Sequence, residues 1–274
     1  MVISERHVTL KKNMYKHMKK NILDTFSLKG KKAIVVGGAG DLGKAMVEAI
    51  SEAGAQTVVI DFDERVFQMC EDFRQSGLNV SGLQADVSKI ENIKESYKAA
   101  LDILGDTVDI LITSQGIQRR YPSEDFPEDE WSKVIAINLD ATFYYCKYAG
   151  NTMIKNGGGK IINIASLMSF LGGITIPAYA ASKGGVGQLT KALSNDWADK
   201  GICVNAIAPG YMDTQLNTAL INDKKRTEEV FNRVPMKRWG NGEDLKGLTV
   251  FLASSASDYV TGTVIPVDGG YLAR

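Results

Sequence analysis

Short runs of aliphatic and β-branched residues alternate along this chain with longer segments whose apolar positions recur every three or four residues. The runs are Ala33–Val36, Thr57–Ile60, Val80–Gln84, Val108–Thr113, Lys160–Ala165, Cys203–Ala208 and Thr263–Val267. Between them lie Leu42–Ala53, Ile90–Leu104, Pro127–Ile154, Ala178–Asp199 and Asp244–Ala253, spaced as amphipathic helices. Strand-like runs separated by helices predict right-handed βαβ units. The expected fold is therefore α/β, a single-domain, Rossmann-type, doubly wound parallel sheet of about seven strands. No linker, internal repeat or low-complexity tract divides residues 26–274. Residues 1–25 carry Lys11, Lys12, Lys16, Lys19 and Lys20 and are expected to form a basic arm, flexible or helical. The stretch at about 210–242 is too long for a turn and contains helical fragments around Thr214–Ile221 and Lys225–Arg233. At the carboxyl end of a sheet, such a connection is where a substrate lid belongs.

Composition narrows the chemistry. With 274 residues, 44% of them hydrophobic, the chain can bury a sizeable core. The formal net charge is zero, which gives no basic excess for a nucleic-acid or anionic-membrane partner. No apolar run approaches the ~20 residues that span a bilayer. Three distant cysteines, Cys70, Cys146 and Cys203, suit neither a disulfide framework nor a metal knuckle, and favour a cytoplasmic setting. Both histidines, His7 and His17, lie in the arm. The body of the chain thus has neither a Ser-His-Asp triad nor a histidine-rich metal site, and no metal is expected. Acid–base work falls to Tyr, Lys or carboxylates.

Two motifs supply candidates. The first strand runs into Gly37-Gly38-Ala39-Gly40-Asp41-Leu42-Gly43, a G-x-G-x-x-G phrase read from Gly38. Missing β-carbons at such a strand–helix junction let the backbone approach a pyrophosphate at a helix N-terminus. About twenty residues on, Asp61 ends the second strand, where a carboxylate can accept both ribose hydroxyls of NAD. Asp63 and Glu64 stand close by, with only Arg65 to offset them, so NAD is expected over NADP. Asp86 can reach an adenine edge or be an ordinary loop aspartate.

The second motif is Tyr179-Ala-Ala-Ser-Lys183. Helical positions four apart share a face, so Lys183 can bring its ammonium near the Tyr179 oxygen. A unit charge ~4 Å away at an effective dielectric of ~20 favours the phenolate by roughly 4 kcal/mol before desolvation. That would draw a phenol from a pKa of about 10 towards neutrality. Ser166 closes the run Lys160–Ala165, where a strand would deliver its hydroxyl to a sheet edge.

Together these residues resemble the short-chain dehydrogenase/reductase family over essentially all of residues 26–274. The matching marks are the glycine loop, Asp61, Asp86-Val87, Ile137-Asn138-Leu139, Ser166, Tyr179/Lys183, Pro209-Gly210 and Val267-Asp-Gly-Gly270. The resemblance implies that Tyr179 is the general acid/base and that Ser166 steadies the substrate oxygen. Lys183 would bind the nicotinamide ribose, and Asn138 would hold a water in a proton relay. Apart from the resemblance, Asn138 reads as a helix-interior amide bonded to backbone. Gly37, Gly38, Gly40, Asp41, Leu42, Gly43, Asp61, Asp86, Val87, Gly116, Tyr179, Lys183, Pro209 and Gly210 would then contact the coenzyme. Two departures stand out. Asp41 takes the place of the middle glycine of G-x-x-x-G-x-G and would put a charge near the pyrophosphate. Thr113-Ser114-Gln115-Gly116 replaces Asn-Asn-Ala-Gly, so the central strand must be braced differently.

The second half is most similar to the sugar-acid branch of that family, the 2-dehydro-3-deoxy-D-gluconate and gluconate 5-dehydrogenases. The phrases that carry this likeness are Gly159–Ser166, Asn205–Met212, Arg238-Trp-Gly240, Phe251–Val260 and Asp268–Arg274. A sugar acid needs a cation for its carboxylate, and Arg119, Arg120 and Arg238 are candidates. Met168 and Trp239 are candidate pocket walls. The reaction expected is oxidation of a secondary hydroxyl or reduction of the matching ketone with NAD. Alternatives are a reductase of another carbonyl, such as a 3-oxoacyl thioester or a polyol, and a non-catalytic NAD-binding regulator. By analogy with relatives, a homotetramer is expected through 127–154, 178–199 and the C-terminus.

Overall fold

Seven parallel strands form the centre of the molecule, in a computed structural model that describes residues 21–274. The predicted basic arm, as far as residue 20, lies outside the described residues together with His7 and His17. The strands are β1 (Lys32–Val36), β2 (Gln56–Asp61), β3 (Val80–Gln84), β4 (Ile110–Thr113), β5 (Gly159–Ile164), β6 (Ile202–Pro209) and β7 (Val264–Val267). Their order is β3-β2-β1-β4-β5-β6-β7, so the winding reverses between β1 and β4. A crevice opens at the carboxyl ends of such a switch point.

Successive side chains of each strand point to opposite faces, so both faces are apolar. On one face Val35, Val59, Ile112 and Ile162 pack with Met46 and Ile50 of α1 (Asp41–Glu52) and with Leu245 and Leu252. On the other, Ile34, Val58, Leu111 and Ile161 pack with Ile93, Tyr97, Tyr145 and Met153. All four residues of β4 are fully buried. The expected brace of the central strand is a polar one. Thr113 donates to Asn163 Oδ1 at 2.8 Å, and Asn163 Nδ2 donates to Thr190 Oγ1 at 3.0 Å. This couples β4, β5 and the helix beneath them through satisfied buried groups.

The helices after α1 are α2 (Arg65–Gln75), α3 (Ile90–Leu104), α4 (Glu128–Ile135), α5 (Ala141–Asn156), α6 (Pro177–Trp197), α7 (Thr218–Asn222), α8 (Lys224–Arg233) and α9 (Glu243–Ala253). Helix α2 adds to the segments the periodicity picks out. The stretch expected as one helix over 127–154 is instead divided by a π turn at Ala136–Asp140. Among the described residues no helix is long and apolar enough to cross a membrane.

The predicted lid is tied at its base. Asp213 N donates to Gly240 O at 2.7 Å and Gly240 N to Tyr211 O at 3.0 Å. Beyond that zipper come the 3-10 turn Gln215–Asn217 and then α7 and α8. Underneath, Leu167, Val230, Val234 and Tyr271 form a separate small apolar cluster.

Candidate active site

The cleft at the switch point is framed by three backbone features. From β1 the chain turns at Gly37, whose φ of +74° is left-handed. A β-carbon there would strike the backbone of Gln115 at the end of β4. One on Gly43 would collide with the Gly37 carbonyl and come within 2.8 Å of Gly38 Cα. Gly40 is different: only Gly37 O, 3.8 Å away, stands near its missing side chain, so its surface is open to the cleft. Gly40 is also the N-cap of α1 and provides no side-chain cap. Among the described residues, the free amides of the first turn, and the positive end of a 12-residue helix, therefore face the cleft without a protein acceptor. An anionic diphosphate fits this arrangement.

Gly37, Gly40, Asp41, Leu42, Gly43, Gly116, Ser166, Tyr179, Lys183, Pro209 and Gly210 all line this one cleft, of about 310 Å3, together with Arg65, Thr214 and Gln215. Other expected contacts lie elsewhere. Gly38 is buried against Val59 and Val47, so its lack of a side chain serves helix–strand packing. Val87 is buried in the core and can present only backbone. Asp86 lines a second hollow, of about 530 Å3, with Phe62, Gln84 and Asn92. Its Oδ1 accepts from Ser88 N at 3.0 Å, and the Ser88 hydroxyl, with that amide, holds its carboxyl below the usual carboxylate range. Asp61 already accepts two amides, Ala39 N at 2.8 Å and Asp63 N at 3.0 Å. A carboxylate has about four acceptor sites, so it retains capacity for hydroxyl donors.

Asp41 stays in the lining of the cleft with the glycine loop, and its carboxylate has a protein donor there. Its Oδ2 accepts from the backbone amide of Gln215, at 2.7 Å, across the cleft mouth.

The three chemical side chains converge from two elements. Ser166, just past β5, accepts from Met168 N at 3.2 Å and lines the cleft together with Tyr179. Tyr179 and Lys183 lie one turn apart on α6, with Lys183 Nζ 5.9 Å from the centroid of the Tyr179 ring. Lys183 is buried, and its Nζ donates to Ile164 O at 2.6 Å. The expected acidification of Tyr179 is not found. Burial pushes the phenol above its ordinary value, with the Ser166 hydrogen bond working the other way. The same desolvation brings Lys183 down to about 8. For Tyr179 the cost of taking a phenolate out of water is the larger effect, and it sets the direction of the shift.

Asn138 is fully buried in the π turn and clamps the loop after β4. Its Oδ1 accepts from Ile117 N at 2.8 Å, and its Nδ2 donates to Ile117 O and Ser182 Oγ. The backbone-bonded reading of this amide therefore describes its side chain. Its main-chain carbonyl accepts from Thr142 Oγ1 at 2.9 Å, and Thr142 in turn accepts from Gln115 Nε2 at 3.0 Å. The sequence shows Gln115 only as part of the altered phrase 113–116 and does not point to Thr142, because their partners are fixed only by the tertiary fold.

The substrate-side candidates do not share the cleft lining. Arg119 is paired with Glu130 at 2.7 Å. Arg238 makes a two-pronged pair with Asp244, at 2.7 and 2.6 Å, beside a different cavity. Arg120 is exposed and has no ion pair among the described residues. Burial pushes Tyr211 up to about 12, and the nearby charges of Arg233 and Arg120 oppose that rise. Trp239 packs on Tyr211 and Phe231, and Met168 joins the same cluster under the lid.

Comparison with known proteins agrees with this geometry. A family model described as Enoyl-(Acyl carrier protein) reductase matches residues 37–272. The chain is 45% identical over 251 residues to the 2-dehydro-3-deoxy-D-gluconate 5-dehydrogenase of Bacillus subtilis (strain 168), covering 92% of this chain and 98% of that one. It is 36% identical over 252 residues to the gluconate 5-dehydrogenase of Gluconobacter oxydans (strain 621H), covering 90% and 96%. A solved structure of a gluconate 5-dehydrogenase from Burkholderia cenocepacia J2315, in complex with NADP and tartrate, matches with a TM-score of 0.89 at 38% identity, over 93% of this chain and 100% of that one. The chain belongs to the short-chain dehydrogenase/reductase family, nicotinamide-dependent oxidoreductases that act on CH–OH groups.

Proposed function

We propose that this protein interconverts a secondary alcohol and the matching ketone on a sugar acid of the 2-dehydro-3-deoxygluconate or gluconate type. The observation that carries the reading is that Ser166, Tyr179 and Lys183 line one cleft with the glycine loop 37–43. The names and coverage of the relatives supply the substrate class.

When bound, the nicotinamide accepts or returns the hydrogen and electron pair of the carbinol carbon. The remaining work belongs to this chain. Tyr179 exchanges a proton with the substrate oxygen, and the Ser166 hydroxyl, which lines the same cleft, holds that oxygen in place. With its pKa raised, Tyr179 is a neutral phenol at pH 7, the form that donates a proton to a ketone oxygen. Alcohol oxidation needs the phenolate, so oxidation gains and reduction loses as pH rises through the Tyr179 titration. Lys183 Nζ lies 3.6 Å from where a side chain on Gly116 would begin, in the cleft, where it can donate to ribose hydroxyls as well as to Ile164 O. Asn138 keeps the loop that carries Gly116 in register.

For the coenzyme we propose NAD, because the carboxylates of Asp61 and Asp63 would oppose a 2′-phosphate. Arg65 is the cation on that rim, and it is paired with Asp63. The Burkholderia relative holds NADP, so both coenzymes belong in the test. For the substrate carboxylate we propose Arg120, because Arg119 and Arg238 are already neutralised.

The test is a panel of gluconate, 2-dehydro-3-deoxygluconate, 5-ketogluconate and a 3-oxoacyl thioester, scored by reduced-coenzyme absorbance with NAD and with NADP. Turnover of a sugar acid, faster per micromolar NAD than NADP, is expected. Turnover of the thioester alone would reject the substrate class, and a lower KM for NADP would reject the coenzyme choice.

A further inference from the structure

We propose that Asp41 is a positioning residue that latches the lid to the coenzyme-binding loop and so sets how long the coenzyme stays bound. The inference rests on the proposed use of this cleft for a dinucleotide. It starts from a residue that the anion-binding role leaves unexplained. Asp41 is the first residue of α1, at the turn that would receive a diphosphate. A carboxylate in that position repels an anion, so its presence needs a compensating use.

The structure shows that use. Asp41 Oδ2 accepts the backbone amide of Gln215 at 2.7 Å, a contact between residues 174 positions apart. Gln215 opens the 3-10 turn of the lid, and the residue before it, Thr214, supplies no side-chain cap. Asp41 therefore does from across the cleft what an N-cap side chain would do locally. It is a charge-assisted bond, the stronger class of hydrogen bond.

The bond sits where it can gate the cleft. Below it, the lid is held by the zipper between Tyr211–Asp213 and Gly240, which does not depend on the ligand site. Above it, Asp41, Thr214, Gln215 and Asn217 line the cleft together with the glycine loop. The Asp41–Gln215 bond thus bridges the two walls of the cleft at its mouth. Closing this bridge both covers the diphosphate position and turns the Asp41 charge towards a donor. Opening it releases the lid turn and restores repulsion against the bound anion. Arg65, which also lines the cleft, feels the charge of Asp41, but its side-chain bond is made to Asp63, at 2.7 Å, and the lid amide is the donor Asp41 takes.

The full-length protein is compared with Asp41→Ala and Asp41→Asn, the latter keeping an acceptor oxygen without the charge. Two readouts are used: hydrogen–deuterium exchange of peptides covering residues 213–218 without coenzyme, and stopped-flow release of NADH. For Asp41→Ala we expect exchange in that peptide to rise about ten- to a hundredfold, and NADH release to quicken by a similar factor. Asp41→Asn should lie near wild type in exchange and between the two in release. Unchanged exchange in Asp41→Ala would show that the latch does not exist. Faster exchange with unchanged release would show that the latch does not retain coenzyme, and also overturns the proposal. Should Asp41→Ala misfold, wild-type-like exchange protection lost in folded Asp41→Gly supports the latch, and protection retained there overturns it. Failure of the wild type to bind NADH or NADPH is a different outcome, and it removes the proposed function itself.

Discussion

Replacing Lys183 by methionine should destroy turnover and yet make the coenzyme-free protein more stable. The ammonium is buried and held at about 8, against 10.5 in the open chain. At about 1.4 kcal/mol per pKa unit, charging it inside the fold costs about 3 kcal/mol. The sign follows from proton counting. Below about pH 8 both states carry the proton and the penalty is complete. Between about 8 and 10.5 the unfolded chain holds more protons than the fold, so wild-type stability climbs with pH relative to the variant. Methionine fills a similar volume without charge, but it strips Ile164 O of its donor, a loss of roughly 1 kcal/mol. The net gain at pH 7 is about 2 kcal/mol, or roughly 4–6 °C in Tm for a domain of this size. Calorimetric unfolding of both proteins at pH 7 and pH 10, without coenzyme, measures it. The variant's advantage should be clear at pH 7 and nearly gone at pH 10. A wild type more stable at pH 7, or a difference that does not change with pH, would refute the assignment of a desolvated, charged lysine.

Three further outcomes follow from contacts in the structure. Gly43→Ala pushes a methyl into the Gly37 carbonyl. It should cost roughly 1–3 kcal/mol and weaken coenzyme binding, read by thermal unfolding and calorimetric titration. Thr113→Val removes the donor to Asn163 Oδ1 and leaves that oxygen the weak thiol of Cys146. A loss of roughly 1–2 kcal/mol is expected, with the KM for coenzyme nearly unchanged. Arg120→Ala should raise the KM for a sugar acid about ten- to a hundredfold with kcat little altered, while Arg238→Ala moves it far less; equal effects would place the carboxylate elsewhere.

Much of this was written locally in the chain. The strand runs could be read because a parallel sheet covered on both faces leaves unbroken aliphatic stretches, as at Ile110–Thr113. The glycine loop, Ser166 and the Tyr179/Lys183 pair were legible because each depends on its position within one element or at its end. Partner choice was not. Asp41 finds Gln215 across 174 residues, and Arg238 is taken by Asp244 instead of standing free for a substrate. Helix α2 rests on Val66, Met69, Cys70 and Phe73 at helical spacing among charged neighbours, a stripe that the acidic turn before it obscures. The largest difference concerns Tyr179. Sequence spacing gives the distance to a lysine, but it says nothing of how far burial lowers that lysine's pKa or raises the phenol's.

The direct test of proton transfer by Tyr179 is Tyr179→Phe, with coenzyme affinity measured by calorimetry on the same preparation that is assayed for sugar-acid turnover. The variant should bind coenzyme within about threefold of wild type and lose roughly a hundred- to ten-thousandfold in turnover in both directions. Turnover within a few-fold of wild type, with binding intact, would contradict the account.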